Sequence, residues 1–123
     1  MIFKDKLYKI LDKIEEQDNI IFNIKILKNH SIFEGHFPKN PVTPGVVQME
    51  IIKELVKECH KENIELISVS NCKFLAILNP EKNELINVIL KINTAEKNEI
   101  KVTSFIKNDD NVFLKMNSIY SKV

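Results

Sequence analysis

PGVVQMEIIKELVKECH, residues 44–60, lacks the alternation of a strand and is rich in good helix formers. Val46, Val47, Met49, Ile51, Ile52, Leu55, Val56 and Cys59 cover a broad apolar arc, while Lys53, Glu54, Lys57 and Lys61 share a narrower polar one. Thr43 suits the N-cap, Pro44 the first helical position, and Gly45 follows. The spacing therefore predicts one long helix over 44–60. Working outward, the chain reads as strand. Residues 19–28 (NIIFNIKILK), 64–78, 85–93, 99–107 and 112–121 are β-branched or aromatic, with stretches of period-2 alternation. The turns between the last four, NPEKNE, NTAEKN and KNDDN, are short, as antiparallel hairpins require. Residues 6–16 fit two readings: Leu7, Ile10, Leu11 and Ile14 form a helical stripe, whereas Tyr8, Ile10 and the turn EEQDN suit a strand paired with 19–28. The turn favours the strand. Two strands, one helix and four strands make an α+β arrangement, with one apolar helix against one curled antiparallel sheet. A helix this apolar needs cover on most sides and the sheet leaves edges open, so a homodimer is expected.

Composition narrows the classes of function. A chain of 123 residues without repeat or linker reads as a single domain, residues 1–123. Its 44% hydrophobic and 28% charged residues fit an ordered core. The 18 basic residues nearly cancel the 17 acidic ones, which excludes the basic footprint of a nucleic-acid binder. Every basic residue is Lys, so no guanidinium fork exists, and an anion must be met by Lys or backbone N–H. No apolar run reaches the roughly 18–20 residues of a membrane span, and MIFKDKLYK lacks a signal peptide's apolar stretch. A cytoplasmic protein with no membrane association is expected. Cys59 and Cys72 form no CxxC pair and read as buried, reduced thiols.

The chemistry lies in FEGHFPKNPVTPGVVQME, residues 33–50. Pro38, Pro41 and Pro44 fix three φ angles within seven residues and make a rigid approach to the helix. His36 sits ahead of that approach and Glu50 lies two turns into the helix. Gly45, in the first turn, has an N–H with no partner inside the helix, where the dipole is positive. A histidine, a carboxylate and an unpaired backbone donor are the parts of an acid/base site with an oxyanion pocket.

At this point the chain resembles a known family. His36-Phe37-Pro38, Pro41, Pro44-Gly45-Val46 and Glu50 match H-F-P-x-x-P-x-x-P-G-V-x-x-x-E, eight fixed positions over fifteen residues. That is the signature of the (3R)-hydroxyacyl-acyl-carrier-protein dehydratases, which are FabZ- and FabA-like enzymes of hotdog fold. The resemblance implies a curled antiparallel sheet wrapped around one long central helix. It implies that His36 removes a C2 proton from a 3-hydroxyacyl thioester, that Glu50 delivers a proton to the departing C3 hydroxyl, and that the Gly45 N–H holds the thioester carbonyl. It further implies that His36 and Glu50 come from different subunits of a homodimer, open to higher assembly, and that the acyl tail lies in a tunnel along the helix. No cofactor and no metal are implied; the partner is an acyl carrier protein. The chain departs from the pattern at Lys39, usually Gly, at Glu54, usually Gln, and at Pro80-Glu81-Lys82, usually Pro-Gly-Asp. It resembles the compact dehydratases of specialised acyl or polyene pathways.

Plainer readings compete at each position. His36 could cap a turn, Glu50 could be one more solvated charge on the arc of Lys53 and Lys57, and Gly45 could serve close helix–sheet packing. His60, beside Cys59, suits the helix C-terminal dipole rather than a metal site, since adjacent helical residues face apart. An acidic carrier protein would be met by Lys39, Lys53, Lys57 or Lys73. Two rival functions remain: a hotdog acyl thioesterase with Glu50 activating water, and a non-catalytic acyl or acyl-carrier-protein binding module.

Overall fold

The computed structural model describes residues 1–34, 41–93 and 98–123. Strands β1 (Tyr8–Glu16) and β2 (Asn19–Ile26) form a hairpin, followed by a 3-10 turn (Ser31–Phe33) and helix α1 (Gly45–His60). Strands β3 (Ile64–Phe74), β4 (Leu85–Asn93), β5 (Glu99–Lys107) and β6 (Val112–Lys122) complete one antiparallel sheet in the order β1-β2-β4-β5-β6-β3. The expected element order is thus observed, with residues 8–16 as strand.

Register explains how the sheet meets the helix. Phe22, Val88, Ile106 and Leu114 stand opposite one another across β2, β4, β5 and β6, and Ile100 opposes Tyr120. All are buried, so the period of two along each strand turns one continuous apolar face inward. Val47, Ile51, Ile52, Leu55 and Val56 of α1 close the core from the other side. β3 breaks the period: register shifts between Leu66 and Ser68 and between Val69 and Asn71 bring Leu66, Val69, Cys72 and Phe74 opposite Tyr120, Ser118, Met116 and Leu114. The extra residues keep those side chains level with the inward set of β6, which alternation alone would not do.

Four expectations are corrected. Thr43 is not the N-cap: Pro44 holds that place, with φ −58° and ψ 151° and no side-chain cap. Its extended ψ excludes it from the helix, and Thr43 is buried instead. There its N–H donates to the Leu78 carbonyl at 2.8 Å and its carbonyl accepts from Gln48 Nε2 at 2.9 Å. The third strand stops at Phe74 rather than residue 78, because the chain beyond Leu75 leaves the ladder to reach Thr43. Glu54 is buried, only 3% exposed, although its arc of the helix reads as polar. Cys59 and Cys72 are free thiols but half-buried rather than buried. Among the described residues no helix is long and apolar enough to cross a membrane.

Candidate active site

Glu50 projects from the second turn of α1 into a cleft of about 410 Å³. Val46, Met49 and Lys53 line it from the same helix, Leu66, Met116 and Tyr120 from the β3–β6 end of the sheet, and Ile2 and Phe3 from the N-terminal loop. Glu50 and Lys53 are the only ionisable groups at ordinary pH among these otherwise apolar walls, and the Glu50 carboxylate has no hydrogen-bond or ion-pair partner among the described residues. Tyr120 is buried, and that burial, with the negative charge of Glu50, pushes its phenol above the ordinary tyrosine value.

Gly45 opens the helix one turn before Glu50. Its N–H lies at the first helical position and finds no acceptor within the helix. A Cβ there would stand 2.6 Å from Cζ of Phe74, whose ring lies directly over the glycine. A side chain here would have to push that ring aside, so close packing favours glycine, which is compatible with an N–H free of any helical acceptor at the same position. His36, with Phe37, Pro38 and Lys39, lies outside the described residues. The described chain reaches that segment from the 3-10 turn, where His30 Nδ1 accepts the Ile32 N–H at 3.0 Å. Of the sequence-derived site residues, the structure thus places Glu50 in a cleft and Gly45 one turn away. Of the candidate docking lysines, Lys53 lines that cleft.

Other residues were not legible in the sequence. Tyr120, Met116 and Leu66 reach the cleft through strand pairing, and Ile2 and Phe3 line it with their backbone N–H groups donating to Glu54. The one advance signal was the carboxylate at position 54, where the dehydratase pattern has an amide.

Residues 12–117 match the ApeI-like family, described as ApeI dehydratase. The chain belongs to the ApeI-like dehydratase family. It is similar to the 3-hydroxyacyl-acyl-carrier-protein dehydratase FabZ of Lactiplantibacillus plantarum, 29% identical over 87 residues, covering 65% of this chain and 56% of that relative. The chain thus spans little more than half that relative's length. Among solved structures it is similar to the dehydratase heterocomplex ApeI:P from Xenorhabdus doucetiae, with TM-score 0.67 and 19% identity over 92% of this chain and 96% of that one. It is also similar to a mutant of a Staphylococcus aureus thioesterase, with TM-score 0.68 and 9% identity over 98% and 97% of the two chains. At such identities the likeness concerns the fold, and this ApeI-like chain has the hotdog fold.

Proposed function

We propose that the chain eliminates water from 3-hydroxyacyl thioesters carried on an acyl carrier protein. The observation that carries this reading is the Glu50 carboxylate, unpaired among the described residues, in an apolar cleft two turns from a rigid Pro-rich approach bearing His36. In the proposed reaction His36 takes the C2 proton, and the C–H electron pair moves toward the thioester carbonyl, whose oxygen accepts a hydrogen bond from the Gly45 N–H. The pair then forms the C2=C3 bond as the C3–O bond breaks. Glu50, in its acid form, protonates the departing hydroxyl to give water and a trans-2-enoyl thioester. The proton on His36 returns to Glu50 to restore the starting state. Apolar walls support this role because, once an acyl chain fills the cleft and displaces its water, charge developing there gains more from an aimed N–H than it would in bulk water. No step calls on a cofactor or metal.

The same reading includes a homodimer in the cytoplasm. β1 and β3 are the edge strands of the sheet, unpaired on their outer side among the described residues, and they differ. β1 carries Lys9, Asp12, Lys13, Glu15 and Glu16, the charges that discourage edge pairing. β3 runs eleven residues with Leu66, Ile67 and Phe74 exposed; Leu66 lines the cleft, as does Val46, 74% exposed. A second copy across β3 would cover that surface, and the family resemblance has His36 and Glu50 of one site come from different subunits.

The test is an assay of a 3-hydroxybutanoyl thioester on acyl carrier protein with product read by mass. His36→Ala and Glu50→Gln are each expected to lose about a hundredfold or more in turnover without loss of folding. Mixed as refolded dimers, they are expected to recover about a quarter of wild-type activity, since half the dimers are mixed and one of their two sites is intact. Full activity in His36→Ala excludes its role as base. Free 3-hydroxy acid instead of enoyl product assigns a thioesterase, and carrier binding without turnover assigns a binding module.

A further inference from the structure

We propose that Glu54 is a positioning residue that holds one wall of the Glu50 cleft in place, by gripping the backbone of residues 2–4, and so sets the preference for longer acyl chains. The proposal rests on the reading above only for the nature of the occupant, an acyl chain.

Three successive backbone N–H groups converge on this carboxylate. Ile2 and Phe3 donate to Oε2, each at 3.0 Å, and Lys4 donates to Oε1 at 2.9 Å. The buried Tyr8 phenol donates to Oε1 at 2.9 Å. Successive N–H groups turned inward form an anion-binding nest, and here the anion is the protein's own side chain. The loop is closed on itself: Lys6 and Leu7 donate to the Phe3 carbonyl at 3.0 and 2.7 Å, and Asp5 donates to the Tyr8 carbonyl at 2.7 Å.

Two side chains of that loop meet the cleft. Ile2 and Phe3 line it, yet Ile2 is 62% exposed and gains little from burial that would keep it there. The loop is also tied by the bonds to the Phe3 carbonyl, by Phe3 packing against the core with its edge on the His30 ring, centroids 6.2 Å apart, and by the part-exposed Lys4–Glu58 ion pair at 3.1 Å; among the described residues, though, Glu54 alone accepts from the Ile2 and Phe3 N–H groups. Glu54 does not line the cleft, so it acts on an occupant only through the loop. A carboxylate has two oxygens for the two pairs of donors, whereas an amide offers an acceptor to one pair only. The acid at position 54 therefore matches the loop it holds.

The test uses butanoyl- and octanoyl-pantetheine with an amide in place of the thioester, titrated calorimetrically into the full chain. Wild type is expected to favour the octanoyl analogue. Glu54→Gln and Ile2→Ala are each expected to cut that preference about tenfold, equivalent to losing contact with about two methylenes. Glu58→Gln, which removes the Lys4 and Lys61 ion pairs and leaves the Glu54 grip intact, is expected to keep it. Hydrogen exchange at amides 2–4 is expected to accelerate in Glu54→Gln, which a wall held by other means would not show. Faster exchange with unchanged preference overturns the proposal and leaves dehydration standing. If Glu54→Gln does not fold, an unchanged preference in Ile2→Ala overturns it equally. Failure of wild type to bind either analogue overturns both this proposal and the acyl reading beneath it.

Discussion

Glu54→Gln changes one oxygen to nitrogen in a side chain that receives four hydrogen bonds, and the geometry fixes how the amide must sit. If the amide oxygen takes the Oε2 place it still accepts from Ile2 and Phe3. The NH2 then faces the Tyr8 hydroxyl, which can rotate to accept, and the Lys4 N–H, which cannot. In the other orientation the NH2 faces two N–H donors, which is worse. The better arrangement loses one charge-assisted bond, reverses a second and weakens two more to neutral strength. With charge-assisted bonds worth about 1.5–3 kcal/mol and neutral ones about 0.5–1.5, the sum exceeds 3 kcal/mol before relaxation. Easier burial of a neutral amide and escape of residues 1–4 into water reduce it, leaving an expected loss of about 2–3 kcal/mol. Urea unfolding followed by circular dichroism reads this as a lower midpoint at unchanged slope. Tyr8→Phe made alone and in the Glu54→Gln background closes a double-mutant cycle, with an expected coupling of about 1 kcal/mol. A Glu54→Gln protein within about 0.5 kcal/mol of wild type, the scatter of ordinary surface changes, would refute the reasoning.

Two further outcomes are expected. Burial, followed by the charge and hydrogen bond of Glu54, pushes the Tyr8 phenol far above its ordinary value, and burial foremost raises Tyr120. Because the folded values lie above the unfolded one near ~10, this stabilisation is complete below that pH and declines as pH rises beyond it. Urea midpoints measured from pH 8 to 11 should therefore fall more gently in Tyr8→Phe and Tyr120→Phe than in wild type; parallel slopes would contradict the buried phenols. At the helix start, Gly45→Ala places its methyl against the Phe74 ring, which is 51% exposed and can swing aside. Gly45→Ala is expected to destabilise when Phe74 is present and not in a Phe74→Ala background, a coupling of about 1 kcal/mol by thermal unfolding. Additive effects would remove the close approach as the reason for glycine.

Much of the architecture could be read from local pattern. The arc from Val47 to Val56 has a helix's period and the alternation in β4, β5 and β6 has a strand's, because each is imposed by one neighbouring apolar layer. β1 was ambiguous in isolation, and its pairing with β2 decided it. The end of β3 was misjudged because Leu75–Leu78 is as apolar as a strand yet leaves the ladder for the Thr43 approach. For the site, the run from His36 to Glu50 carried its own spacing, so acid, base and donor could be nominated within fifteen residues.

Elements and their order were thus set by contacts between residues a few positions apart, which the chain itself displays. The bulges of β3, the identity of the exposed edge and the walls of the cleft depend on partners far along the chain. Glu54 shows the difference most plainly. By periodicity it belongs to solvent, and only folding brings Ile2, Phe3 and Lys4, some fifty positions away, to surround it with donors. A buried charge is tolerated only when such donors arrive, and their arrival is a property of the tertiary structure alone.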